Sequence, residues 1–461
     1  MNRGRKSLLL IRIWAVLVLL ALWVGSGLAG APRNVILMIG DGMGYNTVRA
    51  AAYYQGASLV FEGFPVKYAV STYPRGGGYD PQKAWASFDY VKSGATDSAA
   101  AATAMATGVK TSNGRVNMTE QHRKLKTIVD LFSEQGKATG VVTSVPFSHT
   151  TPACMAAHNG NRNHYAAIAR EMLAGPLDVI MGAGHPDYDD NGQRVTIKMP
   201  GAYKYVGGPF LWAALKNGTS GWQLIETKRD FENLAEGKGL KPGAKVLGLA
   251  RVRHTLQQKR GWDTLAPPYA EPLNSSVPTL AVMTQGALRV LEQNPRGFFL
   301  MVEGGAIDWA AHGQQLGRLI EEELDFAQAV AAAVEWIETH GGWEKTLLIV
   351  TSDHETGHLW GPGSGLPHTF APLVNKGPGR LPGAKFFFAE HTNALVPLYA
   401  KGAGAELFAG YANEVDPKRG PYLDNTEIFQ VMLGKAAWRI PVKKGKGLEK
   451  SAATWKEAVG F

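Results

Sequence analysis

The chain has 461 residues, enough for a large buried core, and its 45% hydrophobic and 19% charged content is that of an ordinary globular protein. Its single cysteine, Cys154, excludes an intramolecular disulfide and any Cys-rich zinc module, so metal ligands here must be His, Asp or Glu. The formal charge is +9, of which the first 29 residues carry four; the modest +5 that remains suits anionic substrates but is no nucleic-acid footprint, and no internal repeat or low-complexity tract is present.

Residues 1–29 read as an export signal. Arg3, Arg5 and Lys6 precede a mostly apolar stretch, and Gly27-Leu28-Ala29 puts small residues at the cleavage-specifying positions. Cleavage there takes the charge from +9 to +5 and leaves residues 30–461 as one large domain, periplasmic or secreted, with no stable membrane span. The alternative is a retained anchor, but Arg12 shortens the clean apolar run below the roughly 20 residues a span prefers. No cysteine stands near the cleavage position to carry a lipid.

Residues 34–44, NVILMIGDGMG, contain five consecutive apolar residues from Val35 to Ile39, the pattern of a strand buried on both faces. The run stops at Gly40-Asp41-Gly42, where the chain leaves the sheet and where ligands bind in open α/β sheets. Asp41 is a candidate ligand, or a turn or capping residue before a helix that runs to Gln55. After a Gly/Pro-rich loop at 73–81 comes SGATDSAAAATAMATG, residues 93–108, where Ser98 opens an alanine-rich helix. It is either an N-cap or a nucleophile: the positive helix end favours a phosphate beside its hydroxyl, and a nearby metal would lower the hydroxyl's pKa.

An amphipathic helix at 125–134 and a buried strand at 138–143 lead to His149 and Thr151, again just past a strand end. Arg162 follows, as a surface residue or an anion clamp, and 178–181 read as a further strand. Between 185 and 272 the periodic signal fades, and the region reads as an elaboration of the same domain. Asp187–Gly192 resemble the start of an EF-hand loop, but the twelfth position is Lys198, which rules out calcium there.

A helix at 277–293 precedes a second apolar run, FFLMV at 298–302, which ends at Glu303-Gly304-Gly305. Asp308 and His312, four apart on a helix expected to continue to about Glu338, fall on one face and make a platform for a divalent ion. A third run, LLIV at 347–350, passes through Thr351-Ser352 into Asp353-His354. Residues 361–390 form an excursion over the same face, and His391 is a plausible late ligand. His122, His185, His254 and His340 lack any supporting context, and His358 and His368 read as structural or surface residues. The basic tail near 443–450 reads as solvated surface. If the three strands are parallel neighbours, their carboxylates and imidazole converge on one sheet edge, as a metal site requires.

The motifs GDGMG, TDSAAAATAMATG, VEGGAIDWAAH, TSDHETG and EHTNALVPLYAKG occur in the order found in alkaline phosphatases, and the chain resembles that family from about residue 34 to 433. The resemblance implies an α/β three-layer sandwich: a central, mostly parallel sheet with helices on both faces. It implies a phosphomonoester hydrolase with a phosphoserine on Ser98, two zinc ions and one magnesium, and a homodimer. One zinc would take Asp308, His312 and His391; the other Asp41, Asp353 and His354. Magnesium would take Asp41, Thr151 and Glu303. Arg162, held by Asp97, would clamp the phosphate. His149 and Trp309 would face the substrate where some members carry Asp and Lys, a difference that bears on the third metal site and on cobalt as an alternative to zinc. A phosphodiesterase, sulfatase or phosphomutase would share the two-metal core, and a non-catalytic phosphate- or metal-binding protein would need no nucleophile.

Overall fold

Strand β1, Asn34–Gly40, is buried at every position, as an unbroken apolar run requires. Its side chains alternate between two cores. Ile36 and Met38 join one, and Val35, Leu37 and Ile39 join the other on the opposite face. Helices Leu280–Leu291 and Leu316–Trp336 cover the first face. Helices Ser98–Thr107, Thr150–Ala156, Tyr165–Ala174 and Thr426–Met432 cover the second. The result is the expected three-layer α/β sandwich. The computed structural model describes residues 31–198, 201–241 and 243–437; the segment read as a signal peptide and the basic tail lie outside them.

The other strands are β2 (Val66–Ser71), β3 (Ala138–Pro146), β4 (Val179–Ala183), β5 (Trp222–Ile225), β6 (Lys245–Leu249), β7 (Phe298–Gly304) and β8 (Thr346–Thr351), followed by Val396–Gly402, Glu414–Asp416 and Gly420–Asp424. Together they make one eleven-stranded sheet with β1 near the middle, between β8 and β7. β8, β1, β7, β3, β4, β6 and β5 run parallel in that order, and Val396–Gly402 adds antiparallel to β8. Among the described residues no helix is long and apolar enough to cross a membrane.

Two local readings change. The helix expected from Asp308 to about Glu338 is two helices, Ala306–His312 and Leu316–Trp336. The break falls at Gly313 and Gln314, and Gln314 takes a positive φ of 54° that no helix allows. The faded stretch at 185–272 contains β5 and β6, which extend the sheet, and helices Pro209–Lys216 and Lys228–Ala235. In the EF-hand-like turn the Lys198 ammonium is ion-paired to Asp187, where a calcium ion would otherwise sit.

Candidate active site

Strand register brings the chemistry together. Ile39 of β1 lies beside Glu303 of β7 and Thr351 of β8, and Glu303 lies beside Thr143 of β3. Just beyond that row the chain leaves the sheet at Asp41 and at Asp353-His354. All these groups therefore meet at the carboxyl edge of parallel strands. His391 arrives by another route: the two-residue strand His391–Thr392 pairs with Glu355–Thr356, directly after His354. Gly42 makes the close approach possible, at φ 72°, since a Cβ there would lie 2.8 Å from Thr356 Oγ1 and 3.0 Å from Asp308 Oδ1.

Asp308, His312 and His391 form one group with converging ligand atoms, and Asp41, Asp308 and His354 form a second. His312 Nε2 and His391 Nε2 are 3.0 Å apart, and each lies within 3.5 Å of Asp308 Oδ1. The outer nitrogens of both rings are occupied: His312 Nδ1 meets the Ala389 carbonyl at 2.6 Å and His391 Nδ1 the Thr96 carbonyl at 2.9 Å. Those carbonyls accept hydrogen bonds from Nδ1–H and leave both Nε2 lone pairs directed at one point, the arrangement of metal-ligating imidazoles. Thr356 works similarly behind His354. Its hydroxyl donates to Asp308 Oδ1 at 2.6 Å and faces His354 Nδ1 at 3.2 Å, so His354 Nε2 points inward.

That inward nitrogen lies 3.2 Å from Ser98 Oγ, 3.2 Å from Asp353 Oδ2 and 3.5 Å from Asp41 Oδ1. Ser98 is buried and is the first residue of its helix; the N-cap is Asp97, not Ser98. The Asp97 carboxylate accepts the Ala100 amide at 2.9 Å, the Gly114 amide at 2.8 Å and Arg162 Nη1 at 2.9 Å. One acid thus closes the helix start and holds the guanidinium beside the serine.

Around this point several buried polar atoms have no hydrogen-bond partner, including Asp41 Oδ1, Asp353 Oδ2, Glu303 Oε1, Thr151 Oγ1 and His149 Nδ1. So many orphaned acceptors in one place fit cations, because a buried carboxylate oxygen without a donor or an ion is costly. The titration shifts agree. Burial, reinforced by Asp353, Asp308 and Glu303, pushes the Asp41 carboxyl well up. Burial also raises Glu303 to about 7, against the Thr143 and Thr151 hydroxyls. Burial works to raise Asp308, but the hydrogen bond and charge of His391 overcome it and hold the carboxyl low. Burial would lower His391, and its partnership with Asp308 instead raises it to about 9. At His354 burial, helped by the His391 charge, outweighs Asp353 and Asp308, and the pKa falls. Cations would relieve the crowding of Asp41, Asp353 and Glu303 and take the lone pairs of the three imidazoles.

His149 stacks on Tyr165 at 5.8 Å and meets the edge of Trp309 at 5.4 Å; burial and then Arg162 drive its pKa down to about 3, so the ring is neutral. Ser98, Arg162, Asp308, Trp309, His312 and His391 open on one cavity of about 450 Å³. Gln258 and Lys259 also line it, although neither stood out in the sequence. Thr143 and Thr356 were equally inconspicuous, since a lone threonine carries no pattern. His254, without context in sequence, lies 6.4 Å from Trp309 and is bonded to Asp190.

A family model described as alkaline phosphatase matches residues 32–371. Alkaline phosphatase 4 of Bacillus subtilis is 32% identical over 342 residues, 70% of this chain and 62% of that protein, so the match spans about three fifths of the relative. Streptomycin-6-phosphate phosphatase of Streptomyces griseus is 32% identical over 445 residues, covering 86% of this chain and 89% of the relative. Among solved structures, a cold-active alkaline phosphatase from a psychrophilic Shewanella superposes with a TM-score of 0.64 at 26% identity, over 87% of this chain and 98% of that one. The matched span runs from β1 to beyond Asp353-His354 and takes in every residue of the two candidate ligand groups except His391, and on that basis the chain belongs to the alkaline phosphatase family.

Proposed function

We propose that this protein is a metal-dependent phosphomonoester hydrolase that works through a phosphoserine on Ser98. The observation that carries the proposal is the Ser98 hydroxyl, buried 3.2 Å from a His354 Nε2 that also meets the unpartnered Asp41 Oδ1 and Asp353 Oδ2, with Arg162 on the same cavity. Asp308, His312 and His391 would hold one zinc ion, and Asp41, Asp353 and His354 the second, where Asp308 also lies within reach. Asp41, Thr151 and Glu303 would hold magnesium; a TAB5 alkaline phosphatase with His 135 replaced by Asp carries Mg in its M3 site. Cobalt remains an alternative to zinc. Bound in this way, the cations would lower the pKa of the serine hydroxyl and of the attacking water and neutralise charge on the leaving oxygen.

The chain's own residues supply the rest. Arg162, fixed by Asp97, binds two oxygens of the transferred phosphoryl group, and the start of the helix at Ser98 adds backbone dipoles to the same charge. Ser98 Oγ forms a bond to phosphorus as the ester oxygen leaves from the opposite side. Water then enters from the vacated side, releases inorganic phosphate and restores the serine. His149 and Trp309 form the substrate-facing wall. The partners are small-molecule phosphate monoesters rather than nucleic acids. A cleaved signal at residues 1–29, a periplasmic or secreted location, a single catalytic domain over 30–461 and a homodimer complete the proposal.

The test compares hydrolysis of p-nitrophenyl phosphate with that of its bis ester, on metal-reconstituted wild type and on Ser98→Ala. The proposal expects strong monoester turnover that collapses in the variant and on chelation. A preference for the diester would move the protein to a sister activity. No turnover of either ester, with metal still bound, would leave a binding protein.

A further inference from the structure

The cavity beside Ser98 has a second wall that this mechanism does not use. Lys259 lines the same opening as Ser98 and Arg162, with its ammonium 5.0 Å from the centre of the Trp309 ring. An aromatic series continues from there. Trp309 meets His149 at 5.4 Å, His149 stacks on Tyr165 at 5.8 Å, and Lys204 sits 5.2 Å over Tyr165 and 4.6 Å over Tyr205. Arg253 is close enough that it and Lys259, after burial, depress the Lys204 pKa. Among the described residues none of these three cations has a carboxylate partner; Asp190, an acid of the same region, is taken by His254 at 3.0 Å.

Lys259 and Lys204 are unpaired cations seated on this one run of rings, which holds each in place, and Arg253 adds charge of the same sign beside Lys204. Such a wall is pre-organised for an anion, and it stands apart from the Asp97–Arg162 pair that serves the transferred phosphoryl group. At about 450 Å³ the cavity holds a leaving group as well as that phosphate. We propose that Lys259, supported by Lys204 and Arg253, forms a subsite for a second phosphate carried on the leaving group, so that the preferred substrates are bisphosphorylated small molecules. The inference rests on the monoesterase reading of Ser98. It also gives the 185–272 region a role: delivering cations to the rim of a site built elsewhere.

Steady-state kinetics of the metal-loaded enzyme on propane-1,3-diol bisphosphate and on the matching monophosphate test this. Wild type should favour the bisphosphate by about tenfold in kcat/KM at low salt, and the preference should fade as salt screens it. Lys259→Gln should cut kcat/KM for the bisphosphate several-fold more than for the monophosphate, mainly through KM, and Lys259→Arg should retain the preference. Equal losses on both esters, or no preference in wild type, would overturn the subsite while leaving the monoesterase reading intact. Hydrolysis of neither ester by the metal-loaded wild type would overturn that reading and the subsite with it.

Discussion

The two walls of the active-site opening are built on opposite physical terms. On one side Asp41, Glu303, Asp353 and His354 are almost wholly buried, fixed by strand register, and crowded so closely that their carboxyls cannot all ionise unaided. On the other side Lys204, Arg253 and Lys259 come from loops and a single 3₁₀ turn and stay in contact with water, and ring faces rather than ion pairs hold Lys204 and Lys259. The dry wall stores unfavourable charge that cations would relieve, which suits it to the metal-dependent chemistry proposed for it. The wet wall projects charge at little cost, and it selects. An error of a fraction of an ångström matters at the first and little at the second.

Several changes would break or sharpen this contrast, and the largest should come from the dry wall. Ser98→Ala should lower kcat for a phosphomonoester by about a thousandfold or more, read by steady-state kinetics with metal affinity unchanged. Glu303→Gln should have an effect whose sign depends on metal. In metal-free protein the native state keeps the Glu303 proton up to about pH 7, whereas the unfolded chain releases it near its ordinary value of 4.5. Native stability is therefore lost as pH rises through that window, and at pH 8 the glutamine variant should be the more stable by roughly 3 kcal/mol. With magnesium and zinc bound the order should reverse. Denaturant unfolding at pH 4.5 and pH 8, with and without chelator, checks both signs.

Thr356→Val removes the hydroxyl that links Asp308 to His354 while leaving every proposed ligand in place. It should weaken zinc binding about 10–100-fold in a chelator competition, as losing an orienting partner does. On the wet wall the effect should be smaller: Lys204→Gln should reduce the bisphosphate preference by roughly twofold, with kcat for the monoester hardly moved. A large loss of kcat in that variant would mean that the two walls are not separable.

The dry wall was largely legible in the sequence because parallel central strands are written as unbroken apolar runs, and each run ended in Asp41, Glu303 or Asp353-His354. What the runs could not show was order in space. That depended on β1 lying between β7 and β8, which a sequence states only as a possibility. The helix after Asp308 was read as continuous because its apolar period survives the break at Gly313 and Gln314, where only backbone conformation changes. β5 and β6 escaped notice because WQLI and KVLGL are short and sit at the sheet's far edge. The supporting threonines, and the carbonyls of Thr96 and Ala389, were beyond reach, since backbone groups leave no trace in composition. Lys259 was invisible for a similar reason: one lysine among many means nothing until a fold puts it over Trp309.

The most direct test of the central claim is to find the phosphate. Metal-loaded protein mixed with a phosphomonoester, quenched in acid and digested, should yield a phosphorylated peptide containing Ser98, and none after chelation. Turnover that persists in Ser98→Ala, with no phosphate on that peptide in wild type, would contradict the account.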